Sequence, residues 1–275
     1  MASIKAIYDR PLKGLDNLGH ELSFYLKVLL ALPRSVKRYP REILRILAEV
    51  TLGSGALAVI GGTVGVIIGM TFFTGAQVGL SGYAALNQLG TAAFAGFVSA
   101  YFNTREIAPL VAGIALAATV GCGFTAQLGA MRISEEIDAV EVMAIPSMQF
   151  LVTTRVIGGL IAIVPLYVVG LLSSYVASRL VVTQFYGQSS GTYDHYFNQF
   201  LPPGDVLWSF GKVLVFAVVV ILIHCYHGYT ASGGPAGVGV AVGRAVRTSI
   251  VAINVIDLFL SMAIWGASTT VRLAG

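Results

Sequence analysis

Apolar residues run along this chain in blocks too long for a soluble core, separated by short polar stretches. Between Glu49 and Arg105 no residue is charged. As one helix at about 1.5 Å per residue, that run would far exceed the ~30 Å hydrocarbon core of a bilayer, so it must turn. The pattern predicts a first span over Val50 to Phe73, a glycine-rich turn over Gly75 to Asn87, and an apolar piece from Leu89 to Phe102. Further apolar runs cover Ile107 to Met131, Val156 to Ser178, Val213 to Tyr229 and Ala245 to Leu273, the last with Asp257 inside it. Ahead of them Leu15, Leu18, Leu22, Tyr25, Leu26 and Leu29 recur at helical spacing, with Asp16, Asn17, His20, Glu21 and Lys27 on the other face. That pattern predicts an amphipathic helix lying in the membrane interface.

Charge decides how many of these runs cross. Of the 17 Lys and Arg, 9 precede residue 50, including the cluster Arg34, Lys37, Arg38, Arg41, Arg45, which sets that end on the cytoplasmic side. Six crossings would put the acidic stretch near residue 138 and the His227 to Arg247 loop outside. Five crossings, with Leu89 to Phe102 partly inserted or at the outer surface, leave 13 of the 17 basic residues cytoplasmic and only Arg179, Lys212 and Arg272 external, with Arg105 in the membrane zone. The expected fold is therefore an all-α membrane protein of the cytoplasmic (inner) membrane. Residues 1–49 form a cytoplasmic N-terminus and interfacial helix, and residues 50–275 carry five transmembrane helices, ending with an external C-terminus. Leu180 to Val206, rich in Tyr, Phe, Gln and Ser, reads as an external loop able to form a small cap.

Composition agrees: 56% hydrophobic residues, 32 glycines and a mean hydropathy of +0.81 exclude a soluble domain. The net charge of +4 could suggest nucleic acid, but its distribution is that of membrane topology. Cys122 and Cys225 stand alone in apolar runs, so neither a disulfide framework nor a zinc site is expected. The first 49 residues carry charge throughout, and no leader peptide is expected there.

Several short patterns carry chemistry. Gly61, Gly65 and Gly69 form a ladder of small residues that lets helix backbones approach closely, within the chain or against a second subunit. Although only 11% of the chain is charged, Arg132, Glu135, Glu136, Asp138 and Glu141 fall within ten positions. Ser134 is placed to cap a helix over about 134–145, with Glu135 and Glu136 in its first turn and Pro146 beyond its end. Glu135, Asp138 and Glu141 share one face and Ile133, Ile137, Val140 and Ala144 the other, the pattern of a short surface helix that docks to a partner or simply lies on the membrane. Arg105, Glu106 and Asp257 interrupt apolar runs. A charge near the bilayer centre costs about 2.5 to 3.5 kcal/mol on insertion scales, so these groups should line a cavity or pair, Arg105 with Asp257 for example.

Other patterns carry no such expectation. Gly187-Gln188-Ser189-Ser190-Gly191 fits GxSxG, but a loop between two spans cannot build the strand, turn and helix that motif needs. His224 and His227 lack further ligands nearby and fit interfacial packing. No phosphate-binding loop occurs: Gly211-Lys212 is followed by Val213, and Gly237, Gly239 and Gly243 miss the GxGxxG spacing.

The block Glu135-Glu136-Ile137-Asp138-Ala139-Val140-Glu141-Val142-Met143-Ala144-Ile145, preceded by Thr125 to Arg132 and by Arg105-Glu106-Ile107-Ala108-Pro109, resembles the MlaE/YrbE family of ABC-transporter permeases from about residue 40 onward. Phe185 to Ser189, His195 to Phe197 and Ser232 to Gly243 resemble in particular the B-type YrbE permeases of actinobacterial Mce lipid-uptake systems. The resemblance implies an MlaE-like permease domain over 50–275. It also implies a coupling helix between spans two and three, carrying Glu135, Glu136, Asp138 and Glu141, and a cavity or gate near Arg105, Glu106 and Asp257. The Gly61, Gly65, Gly69 helix would meet a second, A-type YrbE permease. Two copies of a cytoplasmic ABC ATPase would hold ATP and Mg, with no cofactor on this chain, and Mce substrate-binding subunits would sit outside. The substrate implied is a fatty acid, mycolic-type lipid or sterol, moved inward by ATP hydrolysis in the separate ATPase, with membrane lipids as further partners and no nucleic acid. Two departures stand out: Gln127 where the family often has Glu, and Ala144-Ile145-Pro146-Ser147 in place of a Gly-Ile-Asp-Pro-like ending. The rival readings are a proton-coupled secondary transporter using Arg105, Glu106 and Asp257, and a membrane scaffold without transport.

Overall fold

The computed structural model describes residues 2–52 and 62–266, with side chains described for 19–51 and 62–266. Nine helices and no strand occur among the described residues: α1 (Ala2–Arg38), α2 (Pro40–Leu52), α3 (Thr63–Gln88), α4 (Ala92–Ile133), α5 (Glu136–Val142), α6 (Met148–Phe185), α7 (Ser190–Gln199), α8 (Pro203–Tyr229) and α9 (Gly234–Trp265). Helices α3, α4, α6, α8 and α9 are each long and apolar enough to cross a bilayer. The chain is an all-α membrane protein with five candidate spans, as the apolar pattern predicts. Helix α5 joins α4 to α6 at one end of the bundle, and α7 joins α6 to α8 at the other.

The edges of the spans differ from expectation. The first begins at Thr63 rather than Val50, and Val50 belongs instead to α2, whose buried face is Ile43, Ile46 and Val50. The expected turn over Gly75 to Asn87 is helical throughout. Gly and Ser make turns in water, but in an apolar bundle they let backbones touch. A Cβ on Gly75 would lie 2.5 Å from the Ser174 carbonyl oxygen and one on Gly79 3.0 Å from that of Ser178. Ser178 Oγ donates to the Gly75 carbonyl at 2.5 Å, a backbone-to-backbone seam between α3 and α6.

Leu89 to Phe102 is no separate piece either, because from Ala92 it forms the first turns of α4. At 42 residues α4 is about 63 Å long, twice the hydrocarbon core, so part of it stands outside. Its first turns lie under α7, the cap expected between Leu180 and Val206. Gly96 is required there, since a Cβ would come 2.3 Å from the Tyr193 carbonyl oxygen. The cap is tied down by the buried Tyr193 ring and by two 2.8 Å hydrogen bonds from Arg179 to Asp194.

Burial separates the spans into two groups. Half or more of the apolar window is buried in α4 (61%), α6 (56%) and α8 (50%), but only 22% in α3 and 17% in α9. Three helices make the core of this subunit, and the other two present long apolar faces outward.

Candidate functional site

The charged residues that interrupt the apolar runs meet in one cluster, with different partners from those the sequence suggested. It begins with Pro109. Proline has no N–H, so it withdraws one backbone donor from the turn that precedes it. The preceding stretch, Ser99–Ile107, is wound as a π-helix. Lys212 of α8, wholly buried, donates to the Arg105 carbonyl oxygen at 2.7 Å. The same ammonium contacts Asp257 Oδ1 at 2.7 Å, Ser261 Oγ at 2.8 Å and Glu106 Oε2 at 3.2 Å, and Ser261 in turn donates to Glu106 Oε1 at 2.8 Å.

Arg105 does not pair with Asp257. Its guanidinium is held by Asp205 Oδ2 at 2.6 and 2.7 Å and lies 4.1 Å from the centre of the Tyr101 ring. Asp205 opens α8, where a carboxylate suits the helix dipole, and also accepts from Trp265 Nε1 at 3.0 Å. Lys212, expected outside, lies in the bundle because α4 and α9 supply it with anionic, hydroxyl and carbonyl partners, which offset the cost of burying an ammonium. Two cations face three carboxylates, a net charge of −1 with all five ionised.

Sequence reasoning missed Asp205, Lys212, Ser261 and Trp265. A signal existed: Asp205 and Lys212 are two helical turns apart, and Asp257, Ser261 and Trp265 recur at four-residue steps, so each set shares a helix face.

Beside this cluster the π-helical stretch and α3 enclose an apolar cleft of about 350 Å³, lined by Val78, Gly82, Leu86, Val98, Phe102 and Ile107. Phe102 and Ile107 belong to the same stretch that carries Arg105 and Glu106. An apolar ligand in the cleft would thus lie next to the charged cluster.

At the other end, α5 covers seven residues, shorter than the 134–145 expected. Ser134 does not cap it, because its hydroxyl donates back to the Ala130 carbonyl at 3.0 Å, and Glu135 makes the turn with φ 60°. Ala144 closes the helix, also with φ 60°. Of the expected apolar face only Ile137 is buried, and Val140 is half-buried while Ile133 and Ala144 are exposed. Asp138 pairs with Arg132 at 2.7 Å. Glu141 accepts from Ser147 at 2.5 Å and Tyr229 at 3.3 Å, which ties α5 to the end of α8. Glu135 and Glu136 are exposed at the start of the helix, and Val142 (88% exposed) and Met143 (63%) at its end.

Gln127 sits between Glu49 and the buried Arg155. It donates to Glu49 at 2.5 Å and accepts from Arg155 at 3.2 Å, so the carboxylate that faces Arg155 comes from α2 by way of an amide. Of the glycine ladder, Gly61 lies outside the described residues, Gly65 is exposed and Gly69 has nothing within 4 Å of an added Cβ. Within this subunit that face is open. Three residues beyond the GxSxG stretch, Asp194 is bound to Arg179, and no cluster of three metal-ligating side chains occurs among the described residues.

Five apolar spans, three of which meet at a charged cluster, with a short acidic helix exposed between the second and third, define a multi-pass membrane protein. The chain belongs to the MlaE permease family: the profile described as "Permease MlaE" matches residues 53–263. It is 31% identical over 191 residues, 70% of this chain and 74% of the relative, to a "Probable ABC transporter permease protein" of Rickettsia bellii. A protein of the same description from Synechocystis is 32% identical over 158 residues, 58% of this chain and 60% of the relative. The Arabidopsis thaliana "Protein TRIGALACTOSYLDIACYLGLYCEROL 1, chloroplastic" is 30% identical over 199 residues, 72% of this chain and 57% of the relative.

Proposed function

We propose that the chain is one of two permease subunits of an ABC-type lipid transporter, driven by ATP and Mg held in two separate cytoplasmic ATPase subunits. The observation that carries this reading is the surface of α5. Val142 and Met143 are exposed at one end of a short helix whose other end carries the exposed Glu135 and Glu136, and the helix is braced by Ile137 and Glu141. A short braced helix with one apolar end and one acidic end fits a protein groove better than water. The α5 end is the cytoplasmic side, which puts the α7 cap and the C-terminus outside. The open faces of α3 and α9 meet a second permease, an A-type YrbE chain, and Mce subunits dock outside. The substrate is a lipid: one relative carries a diacylglycerol galactolipid in its name, and the cleft beside Phe102 and Ile107 is apolar. A fatty acid, mycolic-type lipid or sterol entering there is moved inward when ATPase closure pushes α5. Glu141 and Tyr229 pass that push to α8, whose Lys212 lies in the charged cluster.

Affinity purification from the native host in mild detergent tests this. The wild type should bring down an ABC ATPase that the Glu135→Lys/Glu136→Lys variant loses while its thermal stability is kept. If no ATPase accompanies the wild type, the ATP-driven reading is wrong.

A further inference from the structure

Helix α1 has three sides. Phe24, Val28, Ala31 and Ser35 are buried against the bundle, Phe24 within 5.4 Å of the Tyr226 ring centre. Leu22, Leu26 and Leu30, at four-residue steps, are 59%, 60% and 77% exposed. His20, Lys27 and Arg34, at seven-residue steps, form the third side and are exposed too. A helix with one side on protein, one apolar side uncovered and one basic side lies at the level of lipid headgroups. Beyond the kink, α2 repeats the arrangement: Ile43 and Ile46 are buried, and Arg41, Leu44 and Arg45 point outward.

At the kink between them lies a cleft of about 350 Å³, lined by Arg38, Tyr39, Pro40, Arg41, Glu42 and Phe150. Tyr39 and Phe150 meet edge to face at 5.3 Å, and the Arg38 guanidinium lies 5.6 Å from the Tyr39 ring centre. The Tyr39 hydroxyl is buried without a hydrogen-bond partner. Glu42 is already matched by Arg45 at 2.6 Å, whereas Arg38 and Arg41, both exposed, have no carboxylate partner among the described residues. Two exposed guanidiniums without carboxylate partners beside an aromatic cleft, set between exposed leucines, complement a phosphodiester with acyl chains attached.

We propose that this kink binds one anionic phospholipid of the leaflet on the α5 side, its phosphate between Arg38 and Arg41 and its chains along the exposed leucines. This lipid is a resident ligand, bound far along the chain from the charged cluster. Phe150, in the first turns of α6 after α5, puts the site in contact with the segment that follows the acidic helix.

The test is native mass spectrometry of the purified full chain in detergent, titrated with phosphatidylglycerol or phosphatidylcholine. Each basic residue beside an anionic surface is worth roughly fivefold in binding, so Arg38→Ala/Arg41→Ala should weaken the phosphatidylglycerol adduct on the order of 25-fold. Arg38→Lys/Arg41→Lys should retain most of it. Arg244→Ala/Arg247→Ala, which removes the same charge from exposed positions at the same end of the bundle, should leave it unchanged. All three variants alter exposed side chains, and their thermal unfolding should match the wild type. Equal binding of the two lipids by the wild type overturns the proposal. So does equal loss in the Arg244/Arg247 control, which would mean diffuse surface charge, or displacement of the adduct by inorganic phosphate, which would mean a free-anion site.

Discussion

Lys212 Nζ lies 2.7 Å from the carbonyl oxygen of Arg105, in the turn from which Pro109 withdraws a backbone donor. A proline inside a membrane helix leaves a carbonyl that lipid cannot solvate, and neighbouring helices must supply the donor. Here an ammonium donates into that turn, and it needs anionic partners once buried. Glu106 and Asp257 provide them. The Arg-Glu-x-x-Pro element and the two distant residues Lys212 and Asp257 therefore form a single unit, in which each member makes the burial of the others tolerable.

Removing the ammonium should cost more than a typical membrane-facing substitution. Lys212→Met leaves two carboxylates and a carbonyl without their donor, a loss expected at about 3 to 5 kcal/mol for breaking a buried ion pair. Thermal unfolding in detergent should show a large fall in midpoint for Lys212→Met and partial recovery in Lys212→Met/Asp257→Asn, where one stranded charge is gone. An unchanged midpoint in the single variant would remove the ammonium from the account of the fold.

Ala144 closes α5 with φ 60°, a left-handed conformation that costs a residue with a Cβ about 1 to 2 kcal/mol relative to glycine. The family ending that this segment resembles has Gly at that position, and here the chain carries the strain instead. Ala144→Gly should raise the unfolding midpoint, by about 1 kcal/mol of stability, with no change in helix content. A lower midpoint would mean that the turn gains more from the alanine methyl than it loses in backbone strain.

The cap has its own pH dependence. Hydrogen bonds from Arg179 hold the Asp194 carboxyl below the usual carboxylate range. A carboxylate with a lowered folded pKa stabilises the fold fully above its unfolded value, near 4, and that contribution is lost as pH falls through the folded value. Wild type should thus be more stable than Asp194→Asn at neutral pH, and the two unfolding curves should converge in acid. A difference that stays constant with pH would assign the effect to packing rather than charge.

The number of apolar spans, their helical nature and the amphipathic character of the N-terminal helix were legible because the spacing of apolar residues reports directly on them. Of the apolar seam read along α1, Leu22 and Leu26 are uncovered while Tyr25 and Leu29 pack on the core, and Phe24 and Val28, which are buried against the bundle, are not distinguished by composition. Arg105, Glu106 and Asp257 stood out as charges in apolar runs, and the structure gathers them. Their partners were hidden for two reasons: Asp205 and Lys212 lie near the start of α8, where charge reads as an interfacial flank, and Ser261 carries no charge. Glycine misled most. The open ladder of Gly65 and Gly69 has the same small-residue spacing as the seam of Gly75 and Gly79, and only the neighbouring helix distinguishes them.

That difference can be measured. A methyl group on Gly75 would sit 2.5 Å from the Ser174 backbone oxygen, which cannot move aside like a flexible side chain, so Gly75→Ala must separate α3 from α6. Overpacking of this kind costs about 1 to 3 kcal/mol, and the variant should unfold earlier even as an isolated subunit. Gly69→Ala meets nothing within 4 Å, and the isolated subunit should tolerate it. If a second permease packs on that face, the same substitution should weaken the pair, seen as a larger share of single subunits by size-exclusion chromatography. Normal pairing in Gly69→Leu, where the side chain is far larger, would remove this face of α3 from the subunit interface and leave the exposed side of α9 to carry it.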